Sequence, residues 1–431
     1  MSGAGIYYEN LQAAPLHASR VAMGFARSDY VRMLSAVYAS MFLVRLAFGV
    51  VVVTFANYVT ADDFVYGLLV TTSPALELVT VVFAGVLIDR YGRKGILLTG
   101  LGLAAFSLFG LALTKNVVLL GAVNAVHGVA AALILVTTLA IIATHAPHDQ
   151  RGRAMGLFNL VNIFGWIAGF VAGELLGDVF AGRLEYTFVI AGGLATVGLL
   201  YANRMLRLPA ETAPGGGRPH MALKDLVAAV GNRDILLLTA PWLIVFMLVG
   251  AFITFYPRVA DRLDISGGRT ALAVLGVGAL MLASQYFWGR LADRHGRETI
   301  MLVGAVGFAF LMGIIAYAFF ETNSEDGEVI FTNVMSHWFL LSLFLFIALA
   351  FAPAGLAALA DEAKEGAQGT TMSAYSLTLS LGFIVGPLVL GRISRDFGGQ
   401  GTVIYYAVLA LGLLGLVLTR FVQTRVERRK A

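Results

Sequence analysis

Apolar residues along this chain come in runs of roughly 20 positions, the length a helix needs to cross the hydrocarbon of a bilayer. Charged or Gly/Pro-rich breaks separate the runs. The pattern predicts spans at 33–58, 65–88, 95–114, 117–143, 154–177 and 186–206. After a polar connection holding Pro209, Pro214, Gly215, Gly217 and Pro219, six more follow at 235–257, 270–289, 299–320, 336–360, 371–391 and 402–422. The expected fold class is an all-α integral membrane protein of about 12 transmembrane helices in two six-helix bundles. The expected organisation is a cytoplasmic segment over 1–32, an N-terminal bundle over 33–208, a central cytoplasmic loop over 209–233, a C-terminal bundle over 234–422 and a basic tail over 423–431.

Composition points the same way. Hydrophobic residues make up 58% of the chain and charged residues only 13%, against roughly 25% charged in an ordinary soluble domain. Cationic loops stay on the cytoplasmic side of a membrane. With both termini cytoplasmic, most of the 30 Lys and Arg fall inside, and Asp62, Asp63 and the acidic stretch from Glu321 to Glu328 fall outside. This predicts a multi-pass protein of the cell (inner or plasma) membrane. Cysteine is absent, which excludes disulfides, thiolate metal sites and cysteine nucleophiles. The first 30 residues hold no continuous apolar stretch ending in a cleavage site, so the first span is expected to direct insertion.

The loop after span two reads Gly85-Val-Leu-Ile-Asp89-Arg90-Tyr-Gly92-Arg93-Lys94. The loop after span eight reads Gly289-Arg-Leu-Ala-Asp293-Arg294-His-Gly296-Arg297-Glu298. Both follow Gly-x-Leu-x-Asp-Arg-x-Gly-Arg. A second echo pairs Gln150-Arg-Gly-Arg-Ala-Met155 with Gln368-Gly-Thr-Thr-Met372, a register in which Gly165 and Gly169 fall on Gly382 and Gly386. The chain therefore reads as a duplication.

Twelve spans, a 6+6 repeat, a long central loop and this signature after spans two and eight resemble the major facilitator superfamily over essentially the whole chain. The resemblance implies a monomeric secondary transporter with one central cavity, in which two bundles rock about a site near the midplane. In physical terms, Gly85 is read as a close-packing position, and Asp89 as a carboxylate able to meet a helix N-terminus or Arg93. Gly85, Asp89, Arg90, Gly92 and Arg93, with Gly289, Asp293, Arg294, Gly296 and Arg297, are the expected conformational latch. Many drug and proton antiporters of the family carry an Arg in span four and a Gly-Pro pair in span five. Here Asn124 stands at the Arg position and Trp166 follows Gly165.

Ionisable side chains deep in a span usually face a cavity or a partner. Arg45 lies 13 positions beyond Arg32, and Glu77 lies 12 before Asp89. Both sit roughly 18–20 Å above the cytoplasmic boundary, and as sequential spans are commonly neighbours the two are expected to pair. Either Glu77 takes a proton and frees Arg45, or Arg45 receives an anionic group; the plainer alternative is a static ion pair. Asn124 and His127 share a face of span four. Asn124, His127, Asn162 and Gln285 read either as proton-coupling or substrate-pathway residues or as ordinary hydrogen-bonded ones. Glu174 and Asp178, near the outer end of span five, read as solvated. Pro74, Pro241, Pro353 and Pro387 are expected to mark bends, and Trp242, Phe246, Tyr256 and Tyr38 an aromatic wall.

The sequence holds no phosphate-cradling loop, His-Glu-x-x-His site or Gly-x-Ser-x-Gly nucleophile, and no basic face for nucleic acid. No cofactor is expected, and the expected partners are a small solute, protons and the bilayer. The expected function is proton-coupled transport, including export, of a small organic or amphipathic molecule. The alternatives are an organic-anion symporter or uniporter using Arg45, and a non-transporting receptor or lipid-handling protein.

Overall fold

A computed structural model describes residues 27–145, 151–208, 233–262, 265–322, 327–362, 368–396, 410–421 and 424. The central loop, the basic tail and most of the N-terminal segment lie outside the described residues. The elements are α1 Arg27–Tyr58, α2 Asp63–Tyr91, α3 Arg93–Ala112, α4 Val117–His145, α5 Arg151–Val179 and α6 Glu185–Met205. Then follow α7 Arg233–Arg262, α8 Gly267–His295, α9 Arg297–Thr322, α10 Gly327–Ser336, α11 Trp338–Ala348, α12 Phe351–Glu362 and α13 Gln368–Asp396, with α14 Ala410–Phe421. Eleven stretches of the described residues are long and apolar enough to cross a membrane, and α14 is a shorter apolar helix in the place of the twelfth span. No strand occurs among the described residues.

Several helix ends are set by particular residues. Asp62 accepts hydrogen bonds from the Phe64 and Val65 amides and so caps α2; Asn116 does the same for α4 through the Val118 and Leu119 amides. Gly92 ends α2 and Gly296 ends α8, both at positive φ (78° and 91°), with their N–H groups on Ile88 O and Ala292 O. Only glycine adopts that backbone without strain, which explains the second glycine of the repeated signature.

Span ten departs from expectation. It is two helices, α11 and α12, broken at Leu349–Ala350, with the short α10 before it. Pro353 has no N–H to give to Leu349 O, and the break falls one turn before the proline. Ala350 N bonds Ile347 O instead of Phe346 O, and the freed Phe346 carbonyl takes Trp288 Nε1 at 2.7 Å. Pro74, Pro241 and Pro387 sit inside unbroken helices.

Helices α1–α6 surround one core, centred on residues such as Met41, Leu101, Leu108 and Ile141, and the later helices surround another, around Trp242, Phe351 and Ala354. Small residues set the closest crossings, as expected in lipid. Gly165 lies against Arg45 and Gly169 against Gly49 and Leu46, joining α5 to α1. In the other half Gly382 lies against Phe246 and Gly386 against Met247, joining α13 to α7. The same seam is built twice, in the register that the sequence repeat predicts.

Candidate functional site

Among the described residues the main contacts between the halves are those of α2 with α13, α5 with α8, and α1 with α7. Between described residues, the hydrogen bonds and ring contacts that cross this boundary lie at the end of the bundle that carries Asp63. Arg258 of α7 reaches across to the first half. Its Nη1 meets Asp63 Oδ1 at 2.9 Å and Ala61 O at 3.0 Å; Nε and Nη2 donate to Ala56 O and Val59 O. These carbonyls close the C-terminus of α1, where unpaired acceptors and the helix dipole favour a cation. Ser394 of α13 donates to Asp63 Oδ2 at 2.6 Å. The guanidinium lies 3.9 Å from the Tyr66 ring centroid, and the Tyr66 hydroxyl donates to Thr254 O. Arg258 and Asp63 are both buried. A buried ion pair with every charge hydrogen-bonded holds its partners together strongly once formed.

Towards the other end the halves part. Ile167 of α5 touches Gly278 of α8, yet Phe164 and Leu160, on the same face one and two turns away, are exposed. On α8, Gln285 and Gly289 continue the face of Gly278, and a side chain at Gly289 would meet nothing. A shallow hollow of about 410 Å³, lined from the first half alone, lies between Tyr38, Ala39 and Phe42 of α1 and Leu160, Val161 and Phe164 of α5. Among the described residues the bundle is thus joined at the Asp63 end and parted at the signature end.

The expected central residues stand above that opening. Arg45 packs its Cβ on Gly165 and its guanidinium against the Phe48 and Trp166 rings, at 5.8 and 5.7 Å from their centroids. Its Nε is buried without a hydrogen-bond partner. Glu77 is near enough for the two charges to act on each other. The expected direct pairing does not occur, for no ion pair closes between them within 4 Å. The reason is packing: α1 spends its close face on α5 and α6, whereas α2 packs on α4 and α13, so these sequential spans are not close neighbours.

His127 is buried with its ring 3.7 Å from that of Phe48 and its Nδ1 3.3 Å from Ser107 Oγ. Ser107 also donates to Ala104 O; with its single hydrogen there, the His127 Nδ1 is the donor. Asn124 has a structural task. Pro74 leaves Val70 O without its helical donor, and the Asn124 amide bonds Leu69 O at 3.0 Å, Thr72 Oγ1 at 3.2 Å and Val70 O at 3.5 Å. Gly128, one turn on, lets Ser73 O approach. Asn162 Oδ1 is buried and unpartnered; Gln285 is half-buried on the parted face of α8.

Of the aromatic residues, Trp242 stacks on Phe246 and meets Phe351 edge-on inside the second core, Tyr38 donates to Ala154 O, and Tyr256 meets Phe170 across the boundary. Glu174, read from sequence as solvated, is buried; Asp178 is exposed. At the signature loops, Arg297 reaches Asp293 at only 4.0 Å, both partly exposed, Arg90 lies over the Tyr91 ring, and Lys94 donates to Asn203 O. The side chain of Asp89 and the surroundings of Gly85 lie outside what is described. Sequence reasoning missed Arg258 and gave Asp63 only an outer location. The available signal was a cation directly after Pro257 at the end of an apolar run.

The family model described as Major Facilitator Superfamily matches residues 34–283 and 243–431. The chain is similar to a multi-drug resistance efflux pump PmrA homolog of Lactococcus lactis (27% identical over 252 residues, 56% of this chain and 60% of that protein). It is also similar to the multidrug resistance protein MdtG of Salmonella choleraesuis (26% over 388 residues, 86% and 90%). Among solved structures, a bacterial homolog of the human lysosomal transporter Spinster superposes with a TM-score of 0.76 at 15% identity, over 93% of this chain and 98% of that one.

Proposed function

Because this chain belongs to the Major Facilitator Superfamily and is a multi-pass membrane transporter, not an enzyme, we propose that it exports a small amphipathic molecule in exchange for protons. The efflux descriptions of PmrA homolog and MdtG support that direction. The observation that carries the proton is the separation of Arg45 and Glu77. A half-buried carboxylate and guanidinium that act on each other without closing an ion pair leave both free to change partners, and protonation of Glu77 alters the field at Arg45 without first breaking a bond. Phe48 and Trp166 supply apolar walls for the solute body. The signature loops serve as the latch of the opposite conformation. We read the Lys- and Arg-rich signature end as cytoplasmic in the cell membrane, so the open cleft faces inward, ready to load an export substrate.

One observation favours a second reading. The Arg45 Nε is buried without a partner, and a desolvated guanidinium edge is a receptor for a carboxylate or phosphate. On this reading the chain moves an organic anion.

Purified protein in liposomes with an internal pH dye, screened against pooled amphipathic cations, sugars and organic anions, separates the two. Solute-dependent proton flux that disappears in Glu77→Gln supports proton exchange at Glu77. Flux that survives removes Glu77 from that role. Charge-selective competition by anions, lost in Arg45→Gln, favours the second reading.

A further inference from the structure

Two acidic side chains are buried between the halves at the closed end, and they are served very differently. In the register that pairs Asp89 with Asp293, Asp63 falls on Gly267; in the register that pairs Gly165 with Gly382, Glu174 falls on Gly391. The structure uses these positions as two equivalent contacts. Gly391 of α13 receives Asp63 of α2, and Gly267 of α8 receives the turn of α5 that holds Glu174 and Asp178. Asp63 has a cation, Arg258, and a hydroxyl, Ser394. Glu174 has no cation: the Tyr256 hydroxyl of α7 faces it, and its Oε1 and that hydroxyl are both buried with no hydrogen bond closed at ordinary length.

The other groups around Glu174 do not supply a counter-charge. Arg258, two residues beyond Tyr256, spends its guanidinium on Asp63 and three carbonyls. From α1, Gly173 is met by Val50 and Val53. From α8, Gly267 lies against the exposed Asp178 carboxylate and the Glu174 carbonyl, and Arg269 is exposed. Tyr256 itself is flanked by the rings of Phe170 and Phe252, with Tyr66 the next titratable group. Closing the halves over an ionised Glu174 would therefore strand a charge in a site without compensation.

We propose that Glu174 is a proton-binding site of the inter-half contact, neutral while the Asp63 end is closed and ionised once that end opens to solution. On opening, the carboxyl gives its proton to water; on closing, it takes one up before the interface seals. This rests on the alternating-access reading but not on Glu77, and its test needs no transported solute.

The natural chain has no cysteine, so a spin-label pair at Val179→Cys and Gly268→Cys is specific. Val179 is exposed, and a side chain at Gly268 meets nothing within 4 Å. Electron–electron distance measurements from about pH 5 to about pH 9 should show a short, closed population that falls as pH rises, by up to about tenfold per pH unit, the limit for one proton. Glu174→Gln should keep the short population at every pH, whereas Glu174→Asp and Glu77→Gln should each still show a pH response. A response that persists in Glu174→Gln, or its absence in the parent pair, overturns the proposal. Loss of the response in Glu77→Gln alone assigns it to the other carboxylate and also overturns it. Absence of solute flux in liposomes leaves this outcome untouched and bears only on the transport reading.

Discussion

Where the first half sets Arg45 against Gly165, the second sets Phe246 against Gly382. The backbone seam is the same; the side chain it presents is not. Arg45 stands among Phe48 and Trp166 within reach of Glu77 and His127, whereas Phe246 is packed into Trp242, beside Phe351 in a closed aromatic core. Duplication has retained what helix packing in lipid requires and has separated the two halves by chemistry, one holding charge and the other filling space.

The largest expected effect comes from the Arg258–Asp63 ion pair between the halves. Asp63→Asn leaves the Arg258 cation buried without its counter-charge, and should weaken the closed arrangement by about 3–5 kcal/mol. Maleimide labelling of a cysteine at Ala61 should then accelerate; an unchanged rate would mean that the ion pair does not hold the end shut. Next, Arg45→Phe makes the first half resemble the second. It should lower transport by roughly tenfold or more, the value of a charged hydrogen bond of about 1.5–3 kcal/mol, while the melting midpoint is retained. Transport at the parent rate would show that the asymmetry has no part in function.

The matching seams can be set against each other: Gly169→Leu and Gly386→Leu should each destabilise by about 2–3 kcal/mol through overpacking, read by thermal unfolding in detergent. A large effect in one and none in the other would break the equivalence. The smallest effect belongs to the signature glycines. Gly92→Ala and Gly296→Ala each place a Cβ at positive φ, at about 1 kcal/mol, and the two melting shifts should agree.

The spans were legible because a bilayer imposes a length, and 20-residue apolar runs declare it. Glycine spacing was legible for the same reason, as lipid offers helices little else to pack with. What the sequence concealed was who neighbours whom. Arg45 and Glu77 were expected to meet because their spans are consecutive, but α1 lies on α5. Glu174 looked solvated because its depth places it near a membrane edge, and depth says nothing of the opposite half that covers it. Arg258 was lost at an assumed helix end at Pro257; proline removes one hydrogen bond without stopping α7, which runs to Arg262. Asn124 looked like a substituted coupling residue, and its role became visible only once Pro74 and Val70 were seen beneath it.

The single-residue joints at Gly92 and Gly296 have a kinematic consequence. Each separates two long helices by one residue pinned by a hydrogen bond to the turn before it, so α2 with α3, and α8 with α9, are paired levers with almost no slack at the elbow. A tilt applied to α2 at the Asp63 end, some 29 residues away along a continuous helix, arrives at the far face as displacement of α3 and cannot be absorbed in a loop. Stiff elbows of this kind make each half swing as a block, so that release at one end and closure at the other are one movement.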